Sequence, residues 1–137
     1  MILNIGCGTL NRSKKEIGYD IDLGCKPDVC GDIENLPFKD ESFSEIRAIH
    51  VFEHVKEIVA SFNECYRIME VGGRLHIRVP LFPNVGSIAD PTHVRYFVPE
   101  TFGYFVRPGA LPGLNHLFDM GDIRTTEQEI YCILRKK

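Results

Sequence analysis

Gly6-Cys7-Gly8 closes a short apolar run, Ile2-Leu3-Asn4-Ile5, and two acids, Asp20 and Asp32, close the next two candidate strands. Glycine lets a backbone take positive φ and come close to a ligand. An acid at a strand end can accept hydrogen bonds from both hydroxyls of a ribose. Asp20 stands in that position, with Asp22 as a near rival that also reads as a solvated loop carboxylate. Asp32 could receive the exocyclic amine of an adenine, with Ile33 packing on the ring, or it could cap a turn. Each feature alone is an ordinary strand-ending turn or cap. Farther along, His50 ends a fourth apolar run, Glu53-His54 follows it, and Asp90 precedes His93. Histidine titrates near neutral pH, which suits it to removing a proton from a nucleophile. The expected base is His93 with Asp90 orienting it, or else His50. Glu53-His54 reads as the structural start of a helix.

The elements that must position these groups follow from periodicity. Ile2–Ile5, Ile17–Ile21 and the weaker 28–32 read as buried strands, and 45–51 as a fourth. Apolar residues from Val55 to Met69 fall at steps of three and four, the spacing of an amphipathic helix, which Val71-Gly72-Gly73 is expected to stop. Arg74 to Val79 alternates apolar and polar residues as a fifth strand. A long loop is expected to run to Phe97, followed by a short aromatic-rich helix opened by Pro99. The end, about 117–135, reads as two extended segments around a polar turn near 125–128. This order predicts an α/β fold: a doubly wound, Rossmann-like, mostly parallel sheet with an antiparallel C-terminal hairpin. It is a minimal version, with no helix before the first strand and only about ten residues in the first crossover.

The chain has 137 residues, 44% of them apolar and 26% charged, which suits one globular domain over 1–137. No apolar run approaches the roughly 18 residues of a membrane span, and no leader precedes the first apolar segment, so a cytoplasmic protein is expected. The five cysteines show no CxxC and no repeated spacing, so neither a disulfide framework nor a metal site is expected. Net charge is −3, and the one basic run is Arg135-Lys136-Lys137, which argues against non-specific nucleic-acid binding.

Taken together, the motifs carry a resemblance. Leu3-Asn4-Ile5-Gly6-Cys7-Gly8 and Ile17-Gly18-Tyr19-Asp20-Ile21-Asp22 resemble the first two motifs of class I S-adenosylmethionine-dependent methyltransferases, of the type 11-like kind. Gly31-Asp32-Ile33-Glu34-Asn35-Leu36-Pro37-Phe38 is similar to the adenine-contacting segment of that family. Ser42-Phe43-Ser44-Glu45-Ile46 with His50-Val51-Phe52-Glu53-His54-Val55, and then Arg67 through Leu75 with its Gly72-Gly73, resemble two further family stretches. The match runs in order over about residues 2–80. Asp90-Pro91-Thr92-His93 and Phe97 through Phe102 resemble a substrate-side segment of a subgroup.

The resemblance implies S-adenosyl-L-methionine as cofactor and methyl transfer as the reaction. It implies that Gly6 and Gly8 face the methionine part, Asp20 the ribose, and Asp32 with Ile33 the adenine, while His50 borders the methyl group; Asn4, Cys7 and Ile21 are expected at the cofactor as well. His50, His93 and Asp90 are the expected catalytic residues, acting on a small-molecule acceptor. The aromatic residues Phe82, Tyr96, Phe97, Phe102, Tyr104 and Phe105 serve either as core or as substrate wall. The lack of a helix before the first strand and of a third glycine in the first motif suggests that a partner, such as a second copy of the chain, could complete the site. A cofactor-binding subunit without catalysis is the alternative. A nicotinamide enzyme fits poorly, because no GxGxxG opens a helix.

Overall fold

The computed structural model describes residues 1–9 and 12–137. Seven strands form one sheet in the order β3-β2-β1-β4-β5-β7-β6. They are β1 (Ile2–Ile5), β2 (Glu16–Asp20), β3 (Val29–Cys30), β4 (Phe43–Ile49), β5 (Met69–Pro80), β6 (Phe118–Thr125) and β7 (Glu129–Lys136). The first five pair in parallel, whereas β7 runs antiparallel between β5 and β6. This is the expected architecture: strand order reverses at β1, so the chain leaves β1 outward to β2 and β3, then returns to β4 on its other side.

Alternation along the strands builds one apolar face. Leu3, Ile46, Leu75 and Leu134 stand opposite one another across four strands, and Ile5, Ala48, Ile77 and Cys132 form the next row. All are buried, in one cluster with Phe62, Cys65 and Ile68 of α1 (Ile58–Ile68) and with Phe102 and Phe105 of the 3-10 segment Pro99–Phe105. Phe62 stacks on Phe105, with ring centroids 3.8 Å apart. The aromatic run thereby divides. Phe97, Phe102 and Phe105 are core, while Phe82, Tyr96 and Tyr104 stay substantially exposed.

Several boundaries depart from the periodicity. The helix begins at Ile58 rather than Val55, because the preceding carbonyls are engaged elsewhere: Glu53 accepts from the Val94 amide, and Val55 and Lys56 accept from the Arg95 guanidinium. A 3-10 turn at Phe52–His54 occupies the lead-in. The helix ends at Ile68, before the glycines, since Met69 already pairs with Phe43. Gly72, at φ 78°, instead turns a bulge inside β5, where register resumes only at Glu45–Arg74. A Cβ at Gly73 would lie 2.8 Å from the Glu70 carbonyl, so this bulge needs glycine. The third strand shrinks to two residues, and the loop after β5 contains a single helical turn, α2 (Val85–Ile88). Of the first crossover, Leu10 and Asn11 lie outside the described residues.

A cleft at the reversal of strand order

Ligands of open parallel sheets sit beyond the carboxyl ends of the strands, where strand order reverses. A cleft of about 710 Å³ lies at that place, lined by Gly6 after β1, Asp20 and Ile21 after β2, Asp32 and Ile33 after β3, and His50 after β4. That volume is within the ordinary range for small-molecule sites. Gly6 adopts φ 66°, and a Cβ there would meet a Val51 methyl at 2.5 Å, so only glycine permits this turn. The amides of Gly6 and Cys7 both donate to the Tyr19 carbonyl, tying the end of β1 to the end of β2.

Asp20 is braced on both oxygens. Oδ2 accepts from the Gly8 amide at 2.9 Å and Oδ1 from the Asp22 amide at 3.0 Å. Each carboxylate oxygen has a further lone pair, so the group can still receive two donors from a ligand. Asp22 does not line the cleft; it caps the 3-10 turn Leu23–Cys25 through the Gly24 amide. Asp32 accepts from the Glu34 amide at 3.0 Å and also lines the cleft, so its turn-capping and ligand-facing readings coexist. Tyr19 lies beneath, with its hydroxyl donating to the Asp32 carbonyl at 2.9 Å. Burial and the nearby Asp32 charge push its phenol up to about 12. Gly31 leaves room for that hydroxyl, into which a Cβ would run.

Three residues expected at the cofactor do not line the cleft. Asn4 points to the opposite side of the sheet and donates to Glu16 at 3.1 Å. The Cys7 side chain is buried beside the Arg12 guanidinium. Gly8 acts through Asp20, which its amide orients.

His50 takes φ 55°, an uncommon conformation for a side-chain-bearing residue and one that clusters at functional sites. Its Nδ1 lies 3.3 Å from Glu53 Oε1 and its Nε2 lies 2.8 Å from Glu129 Oε1. The hydrogen bond to Glu53 and the two carboxylate charges outweigh burial and hold the imidazole above its usual range. Glu129 starts β7 and reaches His50 only because β7 inserts beside β5; its Oε2 also accepts from the Tyr131 hydroxyl at 3.1 Å. Nothing in the local sequence marks Glu129 as a partner of His50.

A second pocket, of about 300 Å³, shares His50 and His54 with the cleft and is closed by Glu53, Asn84, Asp90, His93 and Glu129. His93 and Asp90 therefore stand behind His50 as seen from the cleft, not within it. Among the described residues, no helix is long and apolar enough to cross a membrane.

Comparisons with known proteins bear on the family and the fold. Residues 3–77, more than half of the chain, match the family model described as "Methyltransferase domain". The chain is 33% identical over 91 residues to Uncharacterized protein MJ0638 of Methanocaldococcus jannaschii, a match covering 58% of this chain and 40% of that protein. It is 32% identical over 96 residues to the human protein named "Probable tRNA methyltransferase 9B", covering 58% of this chain and 21% of that one. The matched region is thus less than half the length of these curated relatives. Among solved structures, a SAM-dependent methyltransferase of Methanosarcina mazei superposes with a TM-score of 0.73 over 98% of this chain and 91% of its own, at 16% identity. At that identity the likeness concerns the fold.

Proposed function

This chain belongs to the methyltransferase domain family, and from that premise we propose that it transfers a methyl group from S-adenosyl-L-methionine to a small-molecule acceptor. The observation that carries the proposal is the convergence of Gly6, Asp20 and Asp32, from the ends of three strands, on one cleft of fitting size. When bound, the cofactor supplies an activated methyl on a sulfonium, so the protein's work is mainly alignment.

In this reading Asp20 accepts the ribose hydroxyls, with Ile21 beside it. Asp32 accepts the adenine amine, and Ile33 packs on the ring. The turn at Gly6-Cys7-Gly8 gives the methionine part its close approach. His50, braced at both nitrogens, borders the methyl group and forms the wall between the two pockets. The smaller pocket, with His93 and Asp90, holds the acceptor. Its volume suits a small molecule, and the acidic net charge gives a polyanion no broad basic surface. We place the protein in the cytoplasm as a single domain over 1–137 and keep a second copy of the chain as a candidate partner.

Calorimetric titration with S-adenosylhomocysteine tests the reading. Wild type should bind one equivalent, and Asp20→Ala should bind at least about tenfold more weakly, a loss of about 1.4 kcal/mol. Asp32→Asn, which keeps the turn geometry, should weaken binding too. No binding by wild type, or equal binding by all three, would sink the site. Binding without turnover on any acceptor would favour a non-catalytic subunit.

A further inference from the structure

Beside the cleft, Glu53 and His54 meet His93, and one ligand-type atom from each lies within 4.8 Å of the others. The protons in this cluster can be traced. His93 Nδ1 lies 2.8 Å from the Ser87 carbonyl, which can only accept, so Nδ1 carries a hydrogen, and in the neutral ring Nε2 presents a lone pair. Thr92 Oγ1 donates its one proton to Asp90 Oδ1 at 2.7 Å. At 3.1 Å from His54 Nδ1 that hydroxyl must then act as acceptor, so His54 also holds a hydrogen on Nδ1, and its neutral ring bares Nε2.

Glu53 completes the set. It is 2% exposed, its Oε1 faces His50, and its Oε2 is buried with no hydrogen-bond partner. A buried carboxylate oxygen without a donor is costly. The other oxygen, Oε1, lies 4.0 Å from His54 Nε2, and Asp90 Oδ2 lies 3.5 Å from His93 Nε2. A carboxylate beside two imidazole nitrogens favours a cation between them, either a proton on one ring or a metal ion. The outer hydrogen bonds, from Nδ1 to a carbonyl and from Nδ1 to a carboxylate-anchored hydroxyl, are those that orient metal-bound imidazoles.

We propose that Glu53, His54 and His93 bind one divalent transition ion of the zinc class. Two imidazoles and a carboxylate match the ligand set of three-coordinate protein sites that leave a position open. That position would face the smaller pocket, which all three residues line. The site would therefore take an acceptor with a hydroxyl or thiol that can ligate the ion, and the ion would lower that group's pKa. Only this last role rests on the methyl-transfer reading; ion binding stands apart from it. The spacing of cysteines gave no sign of a metal, because the ligands come from a 3-10 turn and a distant loop.

The test is calorimetry with Zn²⁺ on the chelator-dialysed full chain, paired with Co²⁺ absorption spectroscopy. Wild type should take up one equivalent, and His93→Ala and His54→Ala should each bind at least about tenfold more weakly. The Co²⁺ spectrum should show ligand-field bands without thiolate charge transfer. His93→Ala, outside the cleft, should keep S-adenosylhomocysteine binding, which checks its fold. Should it not fold, His54→Ala, on a half-exposed ring, decides the matter. No saturable binding by wild type, undiminished binding by the variants, or a thiolate band marking a cysteine site would each overturn the proposal. If wild type binds Zn²⁺ but not S-adenosylhomocysteine, only the cofactor reading fails.

Discussion

The two faces of the sheet are made from the same strands and differ in almost every other respect. On one, the rows Leu3–Ile46–Leu75–Leu134 and Ile5–Ala48–Ile77–Cys132 are buried beneath α1 and the 3-10 segment. On the other, Asn4, Arg47 and His76 share a row with Ile133, and Glu45 stands beside Arg74. Arg47 donates to Glu45 at 2.7 Å and to Glu16 at 3.2 Å; Arg74 and His76 also approach Glu45. A parallel sheet is ordinarily covered on both faces and reads as continuous apolar strands. Here a half-exposed network of ion pairs stands where a second apolar layer would be. Stability must come mostly from the apolar face, because exposed pairs contribute little. The polar face has another consequence. Its last members, Arg78 of β5 and Glu129 at the start of β7, lie at the edge where the parallel strands end, and Glu129 reaches His50.

This contrast can be broken by substitution. Phe62→Ala, on the apolar side, should cost about 3–5 kcal/mol in chemical denaturation, because it empties the centre of the Phe52–Phe62–Phe105–Phe118 cluster. A loss no larger than that of a polar-face variant would refute the division of labour.

A smaller effect is expected from acid. Burial alone would raise the Glu45 carboxyl, but the hydrogen bond from Arg47 and the charges of His76, Arg47 and Arg74 hold it below the usual range. Such a group stabilises above its unfolded pKa of about 4.3 and loses that contribution as pH falls through the lower folded value. The stability curve of wild type should therefore decline below about pH 4.3, and Glu45→Gln should flatten that part of it. An unchanged slope would mean that the network is not felt energetically.

Least of all, Arg47→Ala should cost under about 1 kcal/mol, since its side chain is 42% exposed and its carboxylate partners keep other donors, Asn4 and the Ser13 amide for Glu16 and Arg74 for Glu45. A cost comparable to Phe62→Ala would show the polar face to be structural after all.

Local chemistry was legible in the chain. The glycine turn, the acids after two strands, the C-terminal hairpin and the i, i+3, i+4 spacing of α1 each depend on neighbours within a few residues. Their spacing was enough to point to the family and to the strand ends that line the cleft. The alternation of Arg74 to Val79 even showed that one side of β5 is polar, although not what lies against it.

What neighbours in sequence could not reveal was decided by strands and loops that meet from far apart. The start of α1 moved because Val94 and Arg95 engage the preceding carbonyls. Gly72-Gly73 became a bulge because Met69 found Phe43 before the helix needed a cap. His50 gained Glu129, and Glu53 and His54 gained His93, only when β7 and the loop after β5 packed beside them. The sequence by itself determined which strand ends carry the two acids of the cleft, since each lies on its own strand. Only the tertiary structure decided which charges face one another across the site, because Coulomb and hydrogen-bond partners are set by distance in space.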